Sequence, residues 1–236
     1  MQTIILAGGL GTRLRSLLPD TPKPMAPIQN RPFLAMLLDY LVRQGVNKVI
    51  LSVGYKHEVI QSWFGNRYNT IDVDYSIESE PLGTGGAIKK SLRLVNDGPL
   101  FVINGDTFLQ LSYRDMLANH IERGAQLSIA LRAVDNTSRY GSVKLHNNEI
   151  VSFAEKAGNE AGLINSGIYL LSRNIFDDMS LPDAFSFERE FLYPYLQTVR
   201  PQAFLTDGYF IDIGVPEDYL RAQHELPSLI ERLQPV

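Results

Sequence analysis

The sequence predicts an α/β fold: a mainly parallel sheet, mixed in part, with helices on both faces and a small inserted lobe. Three observations carry this. Short apolar runs without alternation, at 4–7, 49–53 and 100–103, read as strands buried on both faces. Stretches at helical period separate them, as the crossovers of a parallel sheet require. Beyond residue 110 the rhythm changes to short alternating strands with turn residues between, an antiparallel or mixed addition beside the sheet. At 236 residues the chain suits one domain, with a first half over 1–110 and a second half over 111–236.

Taken in order, residues 4–7 run straight into Gly8, Gly9 and Gly11. Such a turn reaches positive φ and bares backbone N–H groups to a ligand, as bound phosphates require. Thr12, Arg13 and Arg15 follow, and Lys23 stands between Pro22 and Pro24, whose fixed φ makes a stiff arm of it. Glycines with positioned cations suit a polyphosphate. The dinucleotide fingerprint fails, because Leu14 stands where its third glycine belongs, and no Lys-Ser or Lys-Thr follows to make a P-loop. A tight strand-to-helix turn with solvated basic residues would account for the glycines alone, but not for the whole set.

Asn30 is expected to cap a helix over 33–44, with Pro32 tolerated in its first turn and Leu34, Leu37, Leu38 and Leu41 on its apolar face. Gly45 ends it and 49–53 is the next strand. A helix over 58–64 carries Trp63, expected in the core. Residues 71–77 alternate as a strand, and the run from Pro81 to Gly86 breaks the pattern before a helix over 87–95. The fourth strand, 100–103, ends in Asn104-Gly105-Asp106. These strands and helices read as a Rossmann-like nucleotide-binding unit. In the second half a helix over 113–123 leads into Leu127, Ile129 and Leu131, then short strands over 142–145, 150–155 and 163–171. Ser186 is expected to cap a helix over 187–197, 210–212 returns as a strand, and Pro216 begins the last helix. No internal repeat is visible, and in particular no hexapeptide repeat of an appended β-helical domain.

Composition narrows the function. The chain is 44% hydrophobic and 20% charged, enough for a proper core. A net charge of −4 argues against nucleic-acid or membrane-surface partners, since phosphate backbones demand a basic face. The absence of cysteine excludes disulfides and thiolate metal sites. The first residues lack the charge and the apolar length of a signal peptide and no stretch approaches a membrane span, so a soluble cytoplasmic protein is expected.

Two carboxylates stand out. Asp106 ends a buried strand, where side chains of α/β sheets point into the ligand crevice, although a loop aspartate capping the next helix would look the same. Asp212 alone would be a solvated turn residue. Together they could bind Mg²⁺, a hard cation suited to carboxylates, water and phosphate oxygens. His57, His120, His146 and His224 have no ligand spacing and read as surface or packing residues.

LAGGLGTRL followed by KPMAPI resembles the sugar-1-phosphate nucleotidyltransferases, whose pattern is G-G-x-G-T-R-L and then K-P. The resemblance covers nearly the whole chain. It implies an enzyme joining a nucleoside triphosphate to a sugar 1-phosphate with release of pyrophosphate and Mg²⁺ as cofactor. Arg13, Lys23 and Asp106 would be catalytic, with the metal on Asp106 and Asp212. Leu6, Ala7, Gly8, Gly9, Gly11, Thr12, Glu78, Glu80, Gly83 and Asn104 would surround the nucleotide. Gly141, Glu155, Lys156 and Asn165 would surround the sugar phosphate: Lys156 can neutralise phosphate, Glu155 and Asn165 can bond hydroxyls, and Gly141 lets the sugar near the backbone. Val215 departs from the family's threonine, losing any hydroxyl contact there.

KPMAPI, RPFL, EPLGTGGAI and YFIDIGVPEDY further resemble the guanylyltransferases of that family that act on a heptose 1-phosphate, which implies GTP and an activated sugar for a surface glycan. The residues agree with guanine. Its Watson–Crick edge offers two adjacent donors, which the acceptor-only carboxylate of Glu78 or Glu80 would satisfy while repelling the pyrimidine carbonyls. The rivals are a uridylyl-, thymidylyl- or mannose-1-phosphate guanylyltransferase, or a non-catalytic sugar-nucleotide sensor on the same fold. A dehydrogenase is disfavoured by the failed fingerprint. The oligomeric state, a homo-oligomer included, is left open.

Overall fold

The computed structural model describes residues 1–9, 14, 17–154 and 160–233. The chain begins with β1 (Gln2–Leu6), whose first four residues are buried. A helical turn, Lys23–Met25, leads to a two-residue ladder of β2 (Pro27–Ile28) against β3 (Arg31–Pro32). That ladder displaces the expected cap: Pro32, and not Asn30, holds the N-cap position of α1 (Phe33–Arg43), with no side chain capping it. After β4 (Lys48–Val53) comes α2 (His57–Phe64), and Trp63 is not in the core. Ile60 and Phe64 take the inward face of α2, which leaves Trp63 44% exposed, with its ring tilted against those of Phe64 and Tyr68.

The strands β5 (Arg67–Tyr68) and β6 (Ile71–Ile77) lead to α3 (Gly83–Ser91), which begins at Gly83 and not at 87. Helix propensity argues against Gly83-Thr84-Gly85-Gly86 as a first turn. Tertiary packing overrides it: a Cβ on Gly85 would lie 2.1 Å from the ring of Phe185, and the Gly85 N–H donates to the Phe185 carbonyl at 2.9 Å. A tighter turn, Leu92–Leu94, continues α3.

Next come β7 (Leu100–Asn104), β8 (Thr107–Leu109), and α4 (Tyr113–Glu122), whose Asp115 N–H is capped by Ser112. The antiparallel part comprises β9 (Leu127–Val134), β10 (Ser142–His146), β11 (Glu149–Ala154) and β12 (Gly162–Leu171). Ser186 accepts from the Arg189 N–H as a cap should, but the segment it opens, Phe187–Leu192, is a π-helix, and α5 (Leu196–Val199) is a separate short turn. The π segment buries Phe187, Phe191 and Leu192 together. A strand absent from the sequence reading, β13 (Gln202–Thr206), pairs parallel with β9, and its own short QAFLT run carries little pattern. The chain ends with β14 (Phe210–Asp212) and α6 (Pro216–Arg232).

Ten strands form one sheet in the order β10-β11-β13-β9-β12-β7-β1-β4-β6-β5. The strands β7, β1, β4 and β6 are mutually parallel, and β12 joins them antiparallel to β7, so the second half continues the sheet. The chain leaves β1 toward β4 and returns to its other side at β7. Such a reversal opens a crevice at the carboxyl ends of the two strands, where α/β sheets bind ligands. Residues of α1, α2, α4 and α6 share one buried core, and α3 with Phe187–Leu192 shares the other. Among the described residues no helix is long and apolar enough to cross a membrane.

Val215 takes the N-cap position of α6 with extended dihedrals, φ −131° and ψ 152°, and no side chain caps the helix. A threonine there has the backbone geometry to accept from an N–H of the first turn. Val215→Thr is therefore expected to stabilise the fold by about 1 kcal/mol, raising Tm by roughly 2–4 °C in a thermal melt. An unchanged or lower Tm would show that the α6 terminus gains nothing from a cap.

Candidate active site

At the carboxyl end of β7 the chain turns through Gly105 and Asp106 into β8, which pairs antiparallel with β14 and sets Thr107 opposite Asp212. The Ile213 N–H donates to the Asp106 carbonyl at 3.0 Å, so two aspartates about a hundred residues apart are brought side by side by main chain. Between them lies Lys23. Its Nζ donates to Asp106 Oδ2 and lies 3.8 Å from Asp212 Oδ1, with the lysine side chain only 13% exposed. Thr107 Oγ1 donates to the other Asp106 oxygen at 3.2 Å. Gly214 completes the corner: its N–H donates to Asp212 Oδ1 at 2.7 Å, and a Cβ there would fall 2.9 Å from Lys23 Nζ. Burial, and then the Asp106 charge, push the Asp212 carboxyl above its ordinary value, against the pull of Lys23, the Gly214 N–H and Arg139.

Two cavities meet at this corner. The first, of about 620 Å³, is lined by Leu6, Gly8 and Gly9 at the end of β1, by Glu78, Glu80 and Gly83 before and at the start of α3, and by Asn104 and Asp106. Ala7 stands behind the wall, buried, with its N–H given to the Ser52 carbonyl at 2.8 Å. Glu78 is held in place: its Oε1 accepts from Ser52 Oγ at 3.2 Å and its Oε2 from the Leu82 N–H at 3.1 Å. Glu80 is exposed at the rim.

The second cavity, of about 630 Å³, includes Asn104, Gly141, Asn165, Glu188, Tyr193 and Asp212 in its lining. Asn104 thus lines both. Gly141 sits at φ +76°, where a side chain would be strained. Asn165 accepts from the Gly167 N–H at 3.0 Å and donates to Tyr169 Oη at 3.0 Å. Gly167, also at φ +76°, is packed so closely that a Cβ would lie 2.3 Å from Asn104 Nδ2. Phe153 and Tyr193, with ring centroids 5.0 Å apart, form an aromatic side of this cavity, and Tyr140 another.

Of the residues singled out in the sequence, Lys23, Asp106 and Asp212 are in contact, and the remaining described ones lie on the two cavities or directly behind them. Gly11, Thr12, Arg13, Glu155 and Lys156 lie outside the described residues. Three contributors escaped the sequence reading. Glu188 sits in the π segment and binds Tyr169 and Thr84, Arg139 pairs with the buried Asp218, and Tyr193 faces the second cavity. The Ser186 cap and the phenylalanine spacing of FSFEREF are local signs of a packed segment there, but neither marks Glu188.

Among the described residues no cluster of three or more His, Asp or Glu side chains forms a closed metal cage. The chemistry of the donor set nevertheless fits a hard divalent cation. Two carboxylates are drawn together against their own repulsion, and their interaction with the Lys23 ammonium marks the corner as one that accepts positive charge. Such a pair suits a cation that keeps water and substrate oxygens as its other ligands.

Comparison with known proteins agrees with this geometry. Residues 2–228 match the family described as nucleotidyl transferase. The chain is 48% identical over 230 residues to the D-glycero-alpha-D-manno-heptose 1-phosphate guanylyltransferase of Aneurinibacillus thermoaerophilus, covering 98% of this chain and 100% of that one. It is 48% identical over 220 residues to the protein of the same name from Campylobacter jejuni, covering 93% and 97%. The crystal structure of HddC from Yersinia pseudotuberculosis matches with a TM-score of 0.86 at 44% identity, over 95% of this chain and 98% of that one, and the same protein complexed with GMP-PN matches with 0.85. The family resemblance and the α/β class read from the sequence are borne out. This chain belongs to the nucleotidyl transferase family.

Proposed function

We propose that the protein transfers a guanylyl group from GTP to D-glycero-α-D-manno-heptose 1-phosphate, giving GDP-heptose and pyrophosphate. One observation supports this above others: two cavities, each large enough for half of the product, meet at Asn104 and at the Asp106–Lys23–Asp212 corner. The relatives named above supply guanine and heptose. On this reading the triphosphate lies over Gly8 and Gly9, and the sugar phosphate lies against Gly141 and Asn165.

The sugar phosphate oxygen attacks the α-phosphorus as pyrophosphate departs. One P–O bond forms and one breaks, and the nucleophile is already an anion, so no general base is needed. Catalysis is then a matter of positioning and of neutralising charge. Lys23, tied to both carboxylates, supplies positive charge where the two substrates meet, and Arg13 would meet the leaving group. Asp106 and Asp212 would hold Mg²⁺, which when bound neutralises charge on phosphate oxygens. Tyr193 would border the sugar.

Guanine would be read by Glu78. Ser52 and Leu82 fix its carboxylate, and each oxygen keeps a lone pair for the adjacent N1–H and N2 donors of the base, whereas exposed Glu80 has no such support.

Three outcomes are expected. In a pyrophosphate-release assay over a panel of triphosphates and sugar phosphates, GTP with the heptose 1-phosphate should give the highest kcat/KM. UTP, dTTP or mannose 1-phosphate in first place would replace the proposed specificity. Asp106→Asn should fold normally by circular dichroism yet lose roughly 100-fold or more in kcat, and near-normal turnover would remove Asp106 from the mechanism. Glu78→Gln should lower the GTP-over-UTP ratio of kcat/KM by about tenfold or more while Glu80→Gln leaves it near the parent value. An unchanged ratio in Glu78→Gln would leave base choice to the backbone.

A further inference from the structure

Glu188 lies in the π segment at the edge of the second cavity, and its carboxylate collects hydrogen bonds from several parts of the chain. Its Oε1 accepts from Tyr169 Oη at 2.9 Å, and its Oε2 accepts from Thr84 Oγ1 at 3.2 Å and from Ser186 Oγ at 3.3 Å. A second bond ties the segment to α3, from the Phe187 N–H to Thr84 Oγ1 at 2.8 Å. The carboxylate is therefore held by groups on three separate parts of the chain.

We propose that Glu188 is a positioning residue that fixes the orientation of the Asn165 carboxamide and so decides which hydrogen bonds the sugar site can offer. The inference rests on the reading above that Asn165 binds a sugar hydroxyl. A carboxylate only accepts, so the single proton of the Tyr169 phenol must point at Glu188. The phenol oxygen can then only accept on its other side, where Asn165 Nδ2 stands 3.0 Å away. That places the amide nitrogen toward Tyr169 and leaves Asn165 Oδ1 to take the Gly167 N–H at 3.0 Å. A flipped amide would set oxygen against the phenol oxygen and N–H against N–H, losing both bonds. The phenol cannot turn to water instead: Tyr169 is 1% exposed, with its ring 4.9 Å from that of Phe187. Burial, with the Glu188 charge behind it, also keeps the phenol well above its ordinary pKa, so that its proton stays. Among the described residues, one N–H and one lone pair of Oδ1 remain free on Asn165, a donor and an acceptor on one group, which suits a sugar hydroxyl that both accepts and donates.

Glu188→Gln breaks the logic without removing bulk, because a glutamine can show the phenol either its oxygen or its amide nitrogen. The test measures KM for D-glycero-α-D-manno-heptose 1-phosphate and for GTP in Glu188→Gln, Tyr169→Phe, Asn165→Ala and the double variant Glu188→Gln/Asn165→Ala, with thermal melts of each. The expected result is a rise in the sugar-phosphate KM of about 3- to 10-fold in Glu188→Gln and Tyr169→Phe, with the GTP KM within about twofold of the parent. Asn165→Ala should rise at least as far, and the double variant no further than Asn165→Ala alone, since Glu188 would have nothing left to orient. If Asn165→Ala leaves the sugar-phosphate KM unchanged, Asn165 does not bind the sugar and both readings fall. If Asn165→Ala raises it but Glu188→Gln and Tyr169→Phe do not, Asn165 keeps its role and the orienting role of Glu188 is wrong. A double variant worse than Asn165→Ala by the full factor of Glu188→Gln also overturns the proposal, because Glu188 would then act on the sugar or the fold by another route. Tyr169→Phe carries the same comparison if Glu188→Gln does not fold.

Discussion

Two aspartates that ought to repel one another are held around one ammonium, and the architecture of the whole molecule serves that arrangement. The pair is enforced by main chain, through the β8–β14 ladder and the Ile213 N–H on the Asp106 carbonyl, and not by side chains finding each other. Burial makes the repulsion costlier, which is why the Asp212 carboxyl sits above its ordinary value and why Lys23 is needed between the two. A partly buried charge cluster of this kind is poor evidence of stability, since desolvation offsets much of the attraction. What it leaves is a corner of paired carboxylates whose charge suits a cation, placed at the carboxyl ends of β1 and β7 where the sheet changes direction.

The surroundings of that corner are built from close approaches. Gly214 leaves room for Lys23 beside Asp212, and Gly167 lets β12 press against Asn104, the residue common to both cavities. On the far side of the first cavity, the opening turn of α3 is glycine-rich because the ring of Phe185 lies against it. The same contact brings the π segment up to α3, so that Thr84, on the first cavity, and Tyr169, on the second, meet on one carboxylate, Glu188. The two halves of the site are thus not independent walls facing each other. They share Asn104 at the centre, and the Glu188 carboxylate of the second is bonded to Thr84 of the first.

The sequence determined most of the sheet and the chemical character of the site. Non-alternating apolar runs place β1, β4 and β7 within a residue or two of their observed ends, because strands buried on both faces carry no polar side chains to interrupt them. The prolines around Lys23 and the position of Asp106 at a strand end likewise speak for themselves, since each depends only on local backbone geometry. Tertiary structure alone decided the rest. Trp63 lies outside because Ile60 and Phe64 already fill the inward face of α2, a choice among apolar residues that helical period does not make. The glycines at the start of α3 read as a loop until Phe185, a hundred residues away, is laid on them. The strand β13 exists because β9 is there to pair with it. Asp212 looks like an ordinary turn residue until β14 sets it beside Asp106, and Glu188 like a surface charge until α3 and β12 converge on it. In each case the deciding interaction joins residues far apart in the chain, and no local pattern of residues encodes a contact whose other half lies elsewhere.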